Sequence, residues 1–392
     1  MERMGAIRRR SYSMLNKYLL NYIMKYFCQL LFCVFLISVS STAQKAQKFS
    51  LNDFYTYDPE LEYVVDSIFN TLNDRQKIAQ MIITSAGELG KPEVTVKKLA
   101  EQDAIGGVVF LKGAKQKHIE SIGALNTISA TNKTVPLLFS MDAEPSLFGS
   151  RIKGAKDVGK TIDIKTEEQS NEVVNVINQE LREIGVHHNY APVLDISSGN
   201  EAIKSRSYGD DPTTVVTLAN QFIQCTQEGG IIATAKHFPG HGLVKGDTHK
   251  QSVYIDGKLQ EVDNYKKIIE DGVLSIMVAH ITIKNNPEYD TNGLPSSCSR
   301  KIVTGLLKEK MGFKGIIISD ALNIMKAVTI LDNAPLRVSK AGCDLILMPR
   351  SEIKTINAIL AEMKKDPDYK KQVMQSVKKI IRLKVCAGVV AI

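Results

Sequence analysis

The chain has no GxGxxG and no P-loop pattern, no HExxH, no CxxC and no basic stripe interleaved with aromatics. Each absence closes a class of function. Without a glycine-rich phosphate cradle between strand and helix, nothing argues for a nucleotide-binding open sheet. Without HExxH or paired cysteines, neither a helical zinc pair nor a cysteine-rich metal site is expected. Without a basic stripe there is no footprint for nucleic acid. The net charge of +8 belongs mostly to the N-terminus: residues 1–43 hold six basic residues and one acidic residue, and the remainder carries +3. Cysteine is scarce as well. Beyond residue 43 only Cys225, Cys298, Cys343 and Cys386 remain, far apart in sequence, and they are expected to be buried free thiols, with one disulfide as the alternative.

What is present begins with a leader. Arg8 to Arg10, Lys17 and Lys25 precede the apolar run Phe27 to Val39, and Ser41-Thr42-Ala43 supplies small residues at a cleavage position. This order predicts a secretory signal peptide over 1–43 and an exported, periplasmic or secreted protein. The alternative is an uncleaved membrane anchor, which Asn21, Lys25 and Gln29 interrupt and shorten. Met24 offers a second possible start. The expected organisation is the leader, an N-terminal extension over 44–60 and one catalytic domain over 61–392.

From residue 61 onward, short apolar runs alternate with amphipathic stretches. Eight candidate strands stand at Gln80–Thr84, Gly107–Leu111, Leu137–Met141, Gly185–Ala191, Ile231–Lys236, Ser275–His280, Gly315–Ser319 and Asp344–Met348. Helical patterns between them carry clear punctuation. Thr166 is a candidate N-cap with Gly185 as its stop, Asp211-Pro212 supplies an N-cap and first position before Gly229-Gly230, and the stretch Ser299 to Met311 ends at Gly312. Continuous apolar strands alternating with helices require a parallel sheet covered on both faces. Eight such units predict a TIM-like (β/α)8 barrel.

Chemistry in such a barrel sits just past the strand ends. Those positions hold Asp142, Arg206, Lys236, His237, His280, Asp320 and the loop that completes KHFPGHGLVKGDTH from Lys236 to His249. Asp320 follows four apolar residues and is either a helix N-cap or a catalytic carboxylate. Asp247 stands two residues from His249, close enough to fix its tautomer and favour its protonated form. A carboxylate nucleophile with a separate proton donor is the equipment of retaining glycoside hydrolysis. Asp142, Arg206 and Lys236 would then hold sugar hydroxyls, the alternative being a structural ion-pair network, for which one acid against two cations is unbalanced. The spacing His237-x3-His241 imitates a metal pair, but Pro239 and Gly240 break any helix between them, so no metal is expected. His187-His188 are read as structural.

KHFPGHG followed by DTH, RSYG at 206–209, APVLD at 191–195 and SDAL at 319–322 resemble glycoside hydrolase family 3, in particular its bacterial β-N-acetylhexosaminidase branch. The resemblance runs from about Ile78 to Leu347 and implies a TIM-like barrel with Asp320 as nucleophile, His249 as acid/base and Asp247 as its partner. It further implies that Asp142, Arg151, Arg206, Lys236 and His237 bind the terminal sugar, with no cofactor. The implied substrate is a carbohydrate, a terminal N-acetyl-β-glucosaminide of peptidoglycan fragments or chitooligosaccharides. Relatives acting on glucosides take their proton donor from a second domain, whereas the residues after Asp320 suffice only to finish the barrel, which favours hexosaminidase over β-glucosidase. A glycoside phosphorylase and a sugar-binding protein without turnover remain as alternatives. The chain departs from the family pattern at DAEPSLFGSRI, where Pro145 replaces Gly or Trp and Arg151 comes one residue late. It departs again after Asp320, where the following helix is expected to be abbreviated. Gly240, Gly242 and Gly246 are candidate hinges for a loop that swings over the sugar.

Overall fold

Eight parallel strands form one sheet in the computed structural model: β1 (Ile82–Ala86), β2 (Gly107–Phe110), β3 (Leu138–Met141), β4 (His188–Asn189), β5 (Ile232–Phe238), β6 (Ser275–Val278), β7 (Ile316–Ser319) and β8 (Ile346–Leu347). The structure describes residues 47–196, 200, 203–244 and 253–392; the leader lies outside them. Each strand pairs with the next in sequence, β8 pairs with β1 through Ile82–Ile346, and a bridge between Ile318 and Leu345 joins β7 to the run leading into β8. The sheet therefore closes as the expected (β/α)8 barrel. All eight predicted strands are found.

Both faces of these strands are buried, which is why β2, β3, β6, β7 and β8 read as largely apolar runs instead of alternating. The helix Glu167–Ile184 starts on Thr166, whose hydroxyl accepts from the Gln169 N–H at 3.2 Å, and it ends at Gly185 with φ of 92°. Asp211 caps Pro212–Glu228 through the Thr214 N–H at 2.8 Å. The helix read over Ser299 to Met311 is present as Lys301–Lys310, wound with wider π-type bonds. Between β7 and β8 the chain makes only the short helices Lys326–Thr329 and Ala334–Ala341, the abbreviation expected from the sequence.

Residues from Phe49 onward belong to the same compact unit as the barrel. Phe49, Leu51 and Phe54 are buried in the core. Arg382, on the last helix Pro367–Cys386, pairs with Glu62 at 2.6 Å and donates to the carbonyls of Asp53, Phe54 and Thr56. All four cysteines outside the leader are free, three of them buried. His188 is buried in β4 and His187, half-buried, stands just ahead of it; burial holds their imidazoles down to about 3 and about 4. His188 bonds the Thr234 hydroxyl at 2.6 Å and His187 accepts from the Phe139 N–H, so both are structural as read.

Under the opposite end of the barrel lies Lys384. Its buried ammonium donates to Gln80 Oε1 at 2.6 Å and to the Gly106 and Pro136 carbonyls at 2.8 Å, all neutral acceptors just ahead of β1, β2 and β3. Burial pushes this lysine down to about 7. The folded state thus releases a proton that the unfolded chain keeps up to its ordinary value near ~10.4. Between those limits unfolding takes up a proton, so stability should rise with pH by an amount on the order of a few kcal/mol. Denaturant unfolding of wild type and Lys384→Met at pH 7 and pH 9 checks this: the rise should be smaller in the variant by the lysine's share. Equal slopes would place the lysine's ionisation elsewhere.

Candidate active site

The polar groups converge at the carboxyl ends of the strands. Asp142 directly follows β3, and its carboxylate accepts from Lys236 Nζ at 2.5 Å and Arg151 Nη2 at 2.9 Å. Lys236 sits within β5 and is buried, so its ammonium has left water and must be paired. It also meets Glu144 at 2.6 Å. Glu144, buried, takes Arg206 in a bidentate pair, with Nε at 2.8 Å and Nη2 at 2.6 Å. Asp142, Glu144, Arg151, Arg206 and Lys236 therefore form one network.

Glu144 is the member that sequence reasoning missed. With only Asp142 counted against the cations, a structural network looked unbalanced; Glu144 removes that objection. The signal was its position two residues past Asp142, in DAEP. The late Arg151 nevertheless reaches the site, because the helix Pro145–Arg151 opens with Pro145 in its first turn and delivers the arginine at its last position. The residues quoted from the altered segment thus still converge. Burial opposes ionisation of Asp142, but Lys236, Arg151 and Arg206 outweigh it and hold the carboxyl far below its usual range. Arg206 is raised correspondingly, burial being overcome by Glu144 and Asp142.

His237 follows Lys236 in β5 and turns to a second acid. Its Nδ1 lies 2.6 Å from Asp195 Oδ2. Asp195 is fully buried and also accepts from the His241 backbone N–H at 2.8 Å. Burial works against its charge, yet His237 and His241 keep it ionised below the ordinary value. An imidazole bonded in this way presents its other nitrogen, Nε2, with a fixed orientation. The sequence held Asp195 in APVLD without a role for it.

Asp320 immediately follows β7 and is partly exposed. The next helix begins only at Lys326, so Asp320 is not its N-cap; Oδ1 accepts from the Ala321 N–H at 2.7 Å. Burial raises its carboxyl, and the fields of His237, His280 and Lys236 with the Ala321 donor more than reverse that, holding it below the usual range. His280, buried past the end of β6, stands between Ser297 Oγ at 2.6 Å from Nδ1 and the Ala321 carbonyl at 3.2 Å from Nε2. Against a carbonyl Nε2 must donate, while the Ser297 hydroxyl can meet Nδ1 as donor or acceptor; burial pushes the imidazole down, against the pull of Asp320. A carboxylate kept anionic at a partly open strand end, facing a cationic network, is suited to attack on an electrophilic carbon.

Asp247 and His249, read as the proton-transfer pair, lie outside the described residues, as does Gly246. Gly240 and Gly242, read as hinges, are described and have another reason to be glycine. A Cβ on Gly242 would lie 1.8 Å from the Ile196 carbonyl oxygen, and one on Gly240, where φ is 126°, would lie 2.5 Å from Glu261 Cβ. Both are sites of close backbone approach.

A family model described as the Glycosyl hydrolase family 3 N terminal domain matches residues 73–383. A "Beta-hexosaminidase" of Hydrogenovibrio crunogenus is 31% identical over 63% of this chain and 72% of its own length. A "Beta-N-acetylglucosaminidase/beta-glucosidase" of Cellulomonas fimi is 26% identical over 72% of this chain, which spans only 53% of that relative. Among solved structures, a glycoside hydrolase family 3 β-N-acetylglucosaminidase from Paenibacillus sp. str. FPU-7 superposes with a TM-score of 0.73 at 28% identity, covering 82% of this chain and 64% of that one.

Proposed function

Because the chain belongs to glycoside hydrolase family 3, we propose that it is a retaining, exo-acting β-N-acetylhexosaminidase that releases terminal N-acetylglucosamine from peptidoglycan fragments or chitooligosaccharides. The observation that carries this reading is Asp320, a carboxylate held ionised at a strand end beside the Asp142–Glu144–Arg206–Lys236 network. The activities for which the hexosaminidase and N-acetylglucosaminidase relatives are named support the choice of sugar.

In this mechanism an Asp320 oxygen attacks the anomeric carbon as the glycosidic C–O bond breaks, and the departing oxygen takes a proton from the His249 imidazolium. The product is a glycosyl ester on Asp320. His249, now neutral, accepts a proton from water as that water attacks the same carbon, and the Asp320 carboxylate leaves. Two inversions return the β-anomer. Asp247 favours the protonated imidazole in the first step. Asp142, Arg151, Arg206 and Lys236 would bind sugar hydroxyls, their mutual pairing keeping each cation oriented before substrate arrives. His237, oriented by Asp195, would add a contact near the reacting carbon. The N-terminal pattern adds export to this proposal, which places the enzyme where such fragments occur.

The test is product analysis on 4-nitrophenyl N-acetyl-β-glucosaminide and 4-nitrophenyl β-glucoside, with and without inorganic phosphate. Hydrolysis of the first, giving free N-acetylglucosamine, is expected to exceed that of the second by at least about tenfold, the low end of what filling a fitted pocket with one extra group contributes to discrimination. Preference for the glucoside, or a sugar 1-phosphate as product, would overturn the assignment.

A further inference from the structure

Glu261 takes no part in the chemistry above, yet it is buried and both of its oxygens are aimed at two neighbouring loop roots. Oε1 accepts from the Ile196 N–H at 2.7 Å, and Oε2 from the N–H groups of Gly242 and Leu243 at 3.0 and 3.2 Å. Ile196 follows Asp195, the acid that holds His237. Gly242 and Leu243 belong to the turn His241–Val244, which leads directly into the sequence carrying Asp247 and His249. The same turn is held from its carbonyl side: Asn200 Nδ2 donates to the His241 oxygen at 2.9 Å and the Val244 oxygen at 2.7 Å. Gly240 and Gly242 admit this packing, since a Cβ on either would collide with Glu261 or with the Ile196 carbonyl.

We infer that Glu261, with Asn200, is a positioning residue for proton transfer: it fixes the turn His241–Val244 against Ile196 and so sets the point from which the acid/base segment departs. The physical case is geometric. A buried carboxylate that satisfies three main-chain donors from two segments locks their separation, and removing it leaves three N–H groups without acceptors. A proton donor must stand within hydrogen-bond reach of the leaving oxygen, so a small displacement of its root is felt in catalysis. Burial and the nearby Asp195 charge push Glu261 up to about 8, against the pull of its three donors.

The inference rests on the reading of His249 as acid/base, and its test separates the two. Full-length wild type, Glu261→Gln, Asn200→Ala and His249→Ala are compared on 2,4-dinitrophenyl and phenyl N-acetyl-β-glucosaminides. Only the phenol needs protonation to leave. Glu261→Gln keeps one acceptor and turns an amide donor toward the remaining N–H groups. It is expected to lose at least about ten times more kcat on the phenyl than on the dinitrophenyl substrate, within the range that positioned acid catalysis supplies. Asn200→Ala, which loosens the turn from its other side, should show the same asymmetry and serves if the Glu261 variant does not fold. Equal losses on both substrates in either folded variant, with asymmetry in His249→Ala, would overturn the positioning role and leave a purely structural brace. Equal losses in His249→Ala itself would overturn the acid/base reading on which the inference stands.

Discussion

Asp320→Ala is expected to lower kcat on 4-nitrophenyl N-acetyl-β-glucosaminide by on the order of 10⁴-fold or more, the scale of removing a catalytic nucleophile. The reason lies in what the site does for this one carboxylate. It stands at the end of β7, free of any helix-capping duty, and the fields of His237, His280 and Lys236 keep it anionic against burial. No other acid in the described site is placed to substitute, since Asp142 and Glu144 are committed to cations and Asp195 to His237. On the proposed mechanism, removing the side chain leaves a gap on the α-face of the sugar. Azide should therefore restore part of the rate with an activated leaving group and give the α-glycosyl azide, a product that free sugar cannot be mistaken for. Undiminished turnover in the variant would remove Asp320 from the mechanism. A β-azide would mean that attack comes from the other face.

Glu144→Ala is expected to have the second largest effect, and on two measurements at once. Glu144 is buried and holds both guanidinium nitrogens of Arg206 together with the Lys236 ammonium. Breaking a buried pair by removing one partner costs roughly 3–5 kcal/mol, because the remaining charges are left without compensation. A drop in Tm of several degrees should follow. Loss of orientation in Arg206 and Lys236 should also lower kcat/KM, chiefly through KM if these groups hold the sugar equally in ground and transition states. Glu144→Gln separates the two effects, since it keeps the shape and one acceptor while removing the charge. A wild-type Tm together with wild-type kcat/KM in both variants would show that the pairs are dispensable.

The altered segment between Asp142 and Arg151 is where reading the chain and seeing its fold part company. From DAEPSLFGSRI the count of residues suggests a displaced arginine. In the structure the one-residue-longer path is absorbed by the short helix Pro145–Arg151, and Arg151 still pairs with Asp142 at 2.9 Å. Helical geometry decides where a side chain points, and a one-residue offset in sequence becomes a rotation that a pair of flexible side chains can cover. The loop glycines differ in the same sense. As letters they marked freedom; in space Gly240 and Gly242 mark contact, because Glu261 and Ile196 arrive from elsewhere in the chain.

The sequence by itself determined the eight apolar strands, the caps at Thr166, Gly185 and Asp211, and the placement of Asp142, Lys236 and Asp320 at strand ends. These follow from local periodicity and backbone chemistry, which need no distant partner. Only the tertiary structure decided how the charges are matched. Glu144 with Arg206 and Lys236, Asp195 with His237, and Glu261 with Ile196 each join residues from different βα units. The reason is physical: a buried charge is tolerated only against a specific partner at hydrogen-bond distance. Closing the barrel brings those partners together from separations that no local pattern records.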